Sequence, residues 1–316
     1  MASPARFVKR HTALESAGNN GIFFRQGRFT KTMRRLAALC LLAAACASTP
    51  DAPDRWPAAP VSSDQFESHP AFDPLTGDLY FVRSAPDFSG WRIYMSACGP
   101  ARARGRPQPP SFAGADGAEA DPFFTPDGRT LYFISSRAED GRPQRELDIW
   151  RVTREGENAW GAPRRLPPPV NSNGQEWFPR LAPDGWLYFG SDRAGGHGRT
   201  DIYRALPDAV GGWRVENLGP NINTAGDEYE AEISPDGRRM LIMADGDLYE
   251  STFGNGRWRA RQKLDATVNT SAMEVGPLWA PDGRTFMFAR DSGEAALSGE
   301  IYRQRGGVAW WPPRCR

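Results

Sequence analysis

Five glutamates, Glu67, Glu119, Glu176, Glu228 and Glu274, stand at one fixed place in a repeated line of sequence, eight residues before a turn aspartate or its equivalent Leu75. Equivalent positions in a closed ring of repeats form a ring themselves. These side chains would then gather five carboxylates near one mouth of a central channel. Hard oxygen ligands of that kind suit a cation, calcium in particular, or a cationic ligand. Two carboxylates held roughly 5 to 9.5 Å apart would instead serve glycoside cleavage. Against both stands a packing role, because a group repeated in every unit holds a scaffold while a specific site breaks the symmetry. Arg83, Arg137, Arg193 and Arg290 are the candidate packing partners, and repetition in every copy favours that role. His69 lies two residues past Glu67, on the same face of an extended strand, and is the one polar residue near the ring that breaks the symmetry. A single histidine lacks the supporting constellation of a catalytic or metal site. His197, in the glycine-rich loop Arg193–Gly198, reads as an exposed loop residue. Asp148, Asp201, Asp247 and Glu300 recur at the start of a later strand and read as scaffold.

The elements that must position these residues are legible in the copies. They run from Glu119 to Trp150, Glu176 to Tyr203, Glu228 to Tyr249 and Glu274 to Tyr302, with a weaker first copy from Glu67 to Tyr94. Counted from Asp127, Asp184, Asp236 and Asp282 the spacings are 57, 52 and 46 residues, a period that marks propellers and solenoids. Each copy carries an apolar run, a Pro-Asp-Gly turn, a second apolar run and a third strand of the Asp-Ile-Tyr type. Proline presets φ, aspartate bonds back to the backbone and glycine accepts positive φ, so the turn is a hairpin. A tryptophan follows at Trp160, Trp213, Trp258 and Trp310, expected to cover the next blade, and starts a fourth strand. Connectors Val170-Asn171-Ser172, Ile222-Asn223-Thr224 and Val268-Asn269-Thr270 lead into the next glutamate, with Val61-Ser62-Ser63 in the same register. The expected fold is all-β: a five-bladed β-propeller of four-stranded antiparallel blades over residues 61–316. Either Trp310–Pro313 completes the last blade, or Arg55–Pro60 pairs into it and closes the ring.

The line Glu…Ser-Pro-Asp-Gly…Leu-Tyr-Phe…Ser-x-Arg…Asp-Ile-Tyr resembles the WD-like β-propeller repeat of the TolB type, over Val61 to Trp311 and best at Val170 to Tyr203. That family is six-bladed and has a separate α/β domain. The resemblance therefore implies six blades as the alternative to five, and a role in recognition at the cell envelope.

The N-terminus points to the same compartment. From Met33 the chain reads MRRLAALCLLAAACAS: two arginines, an apolar stretch and small residues, the pattern of a secretory signal. Ala43-Ala44-Ala45-Cys46 resembles a lipobox, which implies lipidation of Cys46, and Ala47 after it implies sorting to the outer membrane. Residues 1–46 are thus expected as leader and signal, with Met33 as the true start, and residues 47–60 as a linker. The formal charge is +1, but residues 1–35 hold eight Lys or Arg against Glu15 alone, so residues 47–316 carry −6. An acidic body excludes nucleic acid as partner, since that affinity is built from clustered Lys and Arg. Arg102, Arg104 and Arg106 form the one basic cluster, expected as a solvated loop. Of the four cysteines only Cys98 and Cys315 remain in the mature body, open either to one disulfide or to two free thiols. No Gly-x-Ser-x-Gly elbow, phosphate loop or Cys-x-x-Cys pair occurs. The leading expectation is a monomeric, cofactor-free, non-enzymatic lipoprotein of the periplasm that binds an envelope protein or a peptidoglycan-associated partner. A carbohydrate-active enzyme, glycosidase or lyase, using channel carboxylates is the alternative.

Overall fold

In the computed structural model, residues 52–56, 60–99, 103–114, 116–139, 146–291, 299–306, 311 and 315 are described. The leader, Cys46 and Trp310 lie outside them. Every regular element among the described residues is a β-strand. β1 (Asp54–Arg55) comes first. Blade I follows with β2 (Phe66–Phe72), β3 (Leu79–Ser84) and β4 (Arg92–Ser96); blade II with β5 (Glu119–Phe124), β6 (Thr130–Ser135), β7 (Asp148–Thr153) and β8 (Arg164–Arg165). Blade III holds β9 (Glu176–Leu181), β10 (Leu187–Ser191), β11 (Asp201–Pro207) and β12 (Trp213–Asn217). Blade IV holds β13 (Glu228–Ile233), β14 (Arg239–Ala244), β15 (Asp247–Gly254), β16 (Arg257–Trp258) and β17 (Gln262–Lys263); blade V holds β18 (Met273–Trp279), β19 (Phe286–Asp291) and β20 (Glu300–Gln304).

Each blade is an antiparallel meander, and there are five. In blade I the fourth place is taken by Gln108, which exchanges two backbone hydrogen bonds with Met95 at 2.8 and 2.9 Å. The innermost strands β2, β5, β9, β13 and β18 pack each against the next, and β18 packs against β2, so the blades circle an axis. Burial follows the radius. The second strand of each blade is enclosed on both faces, as in Leu79, Tyr80, Phe81 and Val82, and so reads as a continuous apolar run. The third strand begins to alternate, with Arg151 and Thr153 of β7 in solvent. The core is accordingly a set of layers between blades: Val82, Ile134 and Phe189, from blades I, II and III, belong to one cluster. Each such side chain contributes about 1.5–3 kcal/mol of burial. Trp160 and Trp258 close back onto the preceding blade, not the next. Trp160 donates its indole N–H to the Tyr80 hydroxyl at 3.1 Å and Trp258 to that of Tyr188 at 3.3 Å.

The ring closes through the N-terminal segment. β1 pairs with β20, Asp54 opposite Arg303 and Arg55 opposite Tyr302, so the stretch 47–60 expected as a linker supplies the last strand of blade V. Glu300 holds Arg55 in the same way that Asp148 holds Arg165 and Asp247 holds Lys263: in blades II, IV and V the acidic residue opening the third strand anchors the fourth. A disulfide joins Cys98 to Cys315, with Cα atoms 4.9 Å apart and a sequence separation of 217, and ties the segment after blade V to blade I. Arg104 is no solvated loop residue. Its guanidinium lies 5.3 Å from the Phe72 ring and 5.7 Å from that of Trp56, covering this seam.

Candidate functional site

The five repeated glutamates are buried, each bonded within its own blade and connector. Glu176 accepts from the Ser172 amide at 3.2 Å, the Ser172 hydroxyl at 2.6 Å, the Ser191 hydroxyl at 2.9 Å and Arg193 at 3.0 Å. Glu67 does the same with Ser63 and Arg83, and Glu274 with Thr270 and Arg290. Glu119 takes Arg137 and the Gly114 amide; the position four before it is Ala115, without a hydroxyl, and its Oε2 lacks a partner. Blade IV has Asp245-Gly246 where the others carry the arginine, and Glu228 is met by Arg261 from the outer edge at 2.9 Å. Each arginine is in turn held by rings of the second and third strands, as Arg193 is by Phe189 at 5.1 Å and Tyr203 at 4.8 Å. Burial pushes the Glu67, Glu176 and Glu228 carboxyls up, against the pull of these donors. Among the described residues no group of three or more His, Cys, Asp or Glu is placed to hold a metal ion.

The residues that do meet across the channel stand two places after each glutamate: His69, Asp121, Phe178, Glu230 and Gly276. In four of the five copies the next residue is proline, at Pro70, Pro122, Pro179 and Pro277. Proline cannot donate to a sheet ladder and is admitted at bulges. There the inner strand slips register against its neighbour, between Ser68 and Ala71 and between Ala120 and Phe123 for example. His69, Asp121 and Phe178 adopt left-handed conformations, with φ of 51°, 56° and 51°. The bulge breaks the alternation that would have put His69 on the face of Glu67 and aims it across the channel instead. Gly276 is required: a Cβ there would stand 2.8 Å from the His69 amide nitrogen, where blade V meets blade I.

At this mouth His69 Nε2 lies 2.9 Å from Glu230 Oε1 and 3.4 Å from Asp121 Oδ1, while Nδ1 lies 2.7 Å from the Ser68 hydroxyl. The second oxygen of Asp121 accepts the Phe178 amide at 2.9 Å, and that of Glu230 the Gly276 amide at 2.7 Å. One residue from each of five blades is thereby joined in a single knot. Two positions deeper, Arg180 donates to Glu232 at 2.6 Å and lies 3.5 Å from the Phe178 ring centre; Glu232 also accepts the Trp279 amide at 3.3 Å. Burial works against the imidazolium of His69, but the facing charges of Asp121 and Glu230 outweigh it and hold the group above the ordinary histidine range. Burial raises the Asp121 and Glu232 carboxyls. All three carboxylates are thus engaged, and with Arg180 they are buried. His197 is exposed on its loop, with its amide bonded to Asp201. Of the sequence candidates only His69 belongs to the knot; the proline that follows it in the Glu-x-x-Pro line would have found Asp121, Phe178 and Gly276, and Glu230 only by its equivalent place in the repeat.

No family model matches the chain, and no curated protein matches it. Solved structures share the fold. A protein assigned as TolB from Agrobacterium tumefaciens is 16% identical with a TM-score of 0.47, over 72% of this chain and 71% of that one. An α-L-arabinofuranosidase from Lactobacillus brevis is 12% identical at 0.48, over 76% and 90% of the two chains. A gluconolactonase from Xanthomonas campestris is 14% identical at 0.48, over 80% and 86%.

Proposed function

We propose that the protein is a recognition platform of the cell envelope, a propeller held to the outer membrane by lipid at Cys46, that binds a protein or peptidoglycan-associated partner without turning it over. The observation that carries this reading is the mutual engagement of the acidic groups along the inner strands. Each of the five glutamates is bonded inside its blade, His69 is held between Asp121 and Glu230, and Arg180 is bonded to Glu232, so among these described residues each carboxylate already has a partner in the scaffold. Recognition then falls to the rim at the glutamate end. Phe88, Trp91, Trp177 and Tyr229 are half-buried there, rigid rings of the kind that anchor interfaces. Trp177 and Tyr229 already brace each other edge to face at 5.2 Å.

The test places a photo-crosslinking amino acid at Phe88, Trp177 or Val210 of the full chain in its host. Val210, fully in solvent on the hairpin between β11 and β12, lies at the opposite end. Crosslinks to one envelope component from Phe88 and Trp177 but not from Val210, with no release of sugar from envelope glycans or plant polysaccharides, are expected. Glycan turnover that disappears in Glu230→Gln would establish the enzyme instead.

A further inference from the structure

The knot at the channel mouth carries an imbalance of charge. Asp121, Glu230 and Glu232 face the axis from β5 and β13, and Arg180 of β9 is the one permanent cation among them, spent on Glu232 at 2.6 Å. The remaining neighbours of His69 add no charge: Ser68 beside it on β2, Phe178 of β9 edge-on at 5.9 Å, and Gly276 of β18. Glu67 on its own strand is matched by Arg83, and the equivalent glutamates of the other blades by their arginines. A proton on His69 is therefore the one positive charge within hydrogen-bond reach of both Asp121 and Glu230 among the described residues, and it offsets one of their two charges; Arg180 acts on Asp121 only through space. With that proton, Nε2–H can donate toward both carboxylates and Nδ1–H to the Ser68 hydroxyl. Without it, two carboxylates share a nearly water-free site with an imidazole that can serve only one of them, and like charges so placed repel.

We propose that the channel mouth is a proton-binding site: one proton held by His69 between Asp121 and Glu230 clamps the innermost strands of all five blades, and its loss loosens the mouth. This goes beyond the recognition reading and does not depend on the partner. The clamp works through backbone, because Asp121 and Glu230 each spend their second oxygen on an amide of a further blade, Phe178 and Gly276. The sign follows from linkage. His69 is held above its ordinary value of 6.5, so its contribution is full below that pH and is lost as pH rises through the higher, folded value. An envelope protein that meets varying external pH would thus carry a tight mouth in mild acid and a looser one in mild alkali.

The experiment is an NMR titration of the ring nitrogens in the mature protein, whose only histidines are His69 and His197, assigned with His197→Gln. His69 is expected to titrate above 6.5 and to move to lower pH in Glu230→Gln. Hydrogen exchange, corrected for its intrinsic pH dependence, supplies the second readout. The Phe178 and Gly276 amides should lose protection as His69 deprotonates, while that of Ile149, bonded to Asn171 at 2.7 Å away from the mouth, should not. In His69→Gln the protection of Phe178 and Gly276 should no longer depend on pH. A His69 that titrates at or below 6.5, or amides indifferent to its state, overturns the proposal on the wild-type protein alone, even if the variants do not fold.

Discussion

Two rings of residues, two places apart on the same five strands, are built in opposite ways. The glutamate ring is uniform in sequence and is satisfied blade by blade; the ring two residues later is different in every blade and is satisfied only between blades. Glu67 and Arg83 sit 16 residues apart, whereas His69 and Glu230 are 161 apart. Repetition therefore marks the mortar of a single blade. Departure from repetition marks the place where the blades must agree with one another. A propeller needs the first to form each sheet and the second to fix how the sheets meet at the axis.

The sharpest way to break this contrast is to remove a cation from each ring. Arg180 is fully buried, and Arg180→Met leaves the buried Glu232 carboxyl without its cation. A loss of about 3–5 kcal/mol is expected by denaturant titration, with most of it recovered in Arg180→Met/Glu232→Met. Arg193→Met should cost less, about 1–3 kcal/mol, because Glu176 keeps the Ser172 amide and two hydroxyls as donors. Equal losses at the two positions would mean that the channel ring is no more than a sixth wall of the scaffold.

Additivity sharpens it further. Asp121→Asn and Glu230→Gln act on one shared imidazole, so their effects on stability should couple by about 0.5–3 kcal/mol. Glu67→Gln and Glu228→Gln lie in separate blades with no common partner, and should sum to within about 0.5 kcal/mol. The measurement is a pair of double-mutant cycles by chemical denaturation. Coupling between the two scaffold glutamates would show that their ring, too, works across blades.

Sequence made the first ring plain and the second almost invisible, for a physical reason. The turn, the glutamate, its hydroxyl donor four residues earlier and its arginine 16 to 18 residues later each recur in at least four of the five copies, so a weak local signal is written several times. Four of the five arginines could be named on that basis. Arg261 could not, because blade IV turns through Asp245-Gly246, where the others carry an arginine, and recruits its cation from the far edge. Cross-channel partners have no common offset, since ring closure alone brings Asp121 and Glu230 to His69. What local trace exists is the proline after His69, Asp121, Phe178 and Gly276, which marks a bulge and hence a side chain turned toward the axis. Glu230 is followed by Ala231 and keeps an ordinary φ, although its strand too slips register, between Glu228 and Glu230, so the proline goes with the left-handed residue and not with the slip itself.

The closing strand supplies the smallest and most specific test of how the blades are joined. Asp54 accepts from Arg303 at 2.6 Å and Arg305 at 3.0 Å, and these guanidinium groups hold its carboxyl well below its ordinary value of 3.8. A depressed folded value means that the contribution is present above that pH and lost as pH falls below it, the reverse of the His69 knot. Asp54 is about a third exposed, so solvent screening limits the term to about 0.5 kcal/mol. Asp54→Asn should therefore lower the melting temperature slightly at pH 6, by an amount that shrinks as the pH falls below 3.8. The wild-type amide of Trp56, bonded to Ile301 at 2.8 Å, should exchange faster in acid while Phe178 and Gly276 stay protected. Opposite pH responses at the two seams of one ring would separate the strand that closes it from the knot that holds its centre; parallel responses would mean that both report only the global unfolding of the propeller.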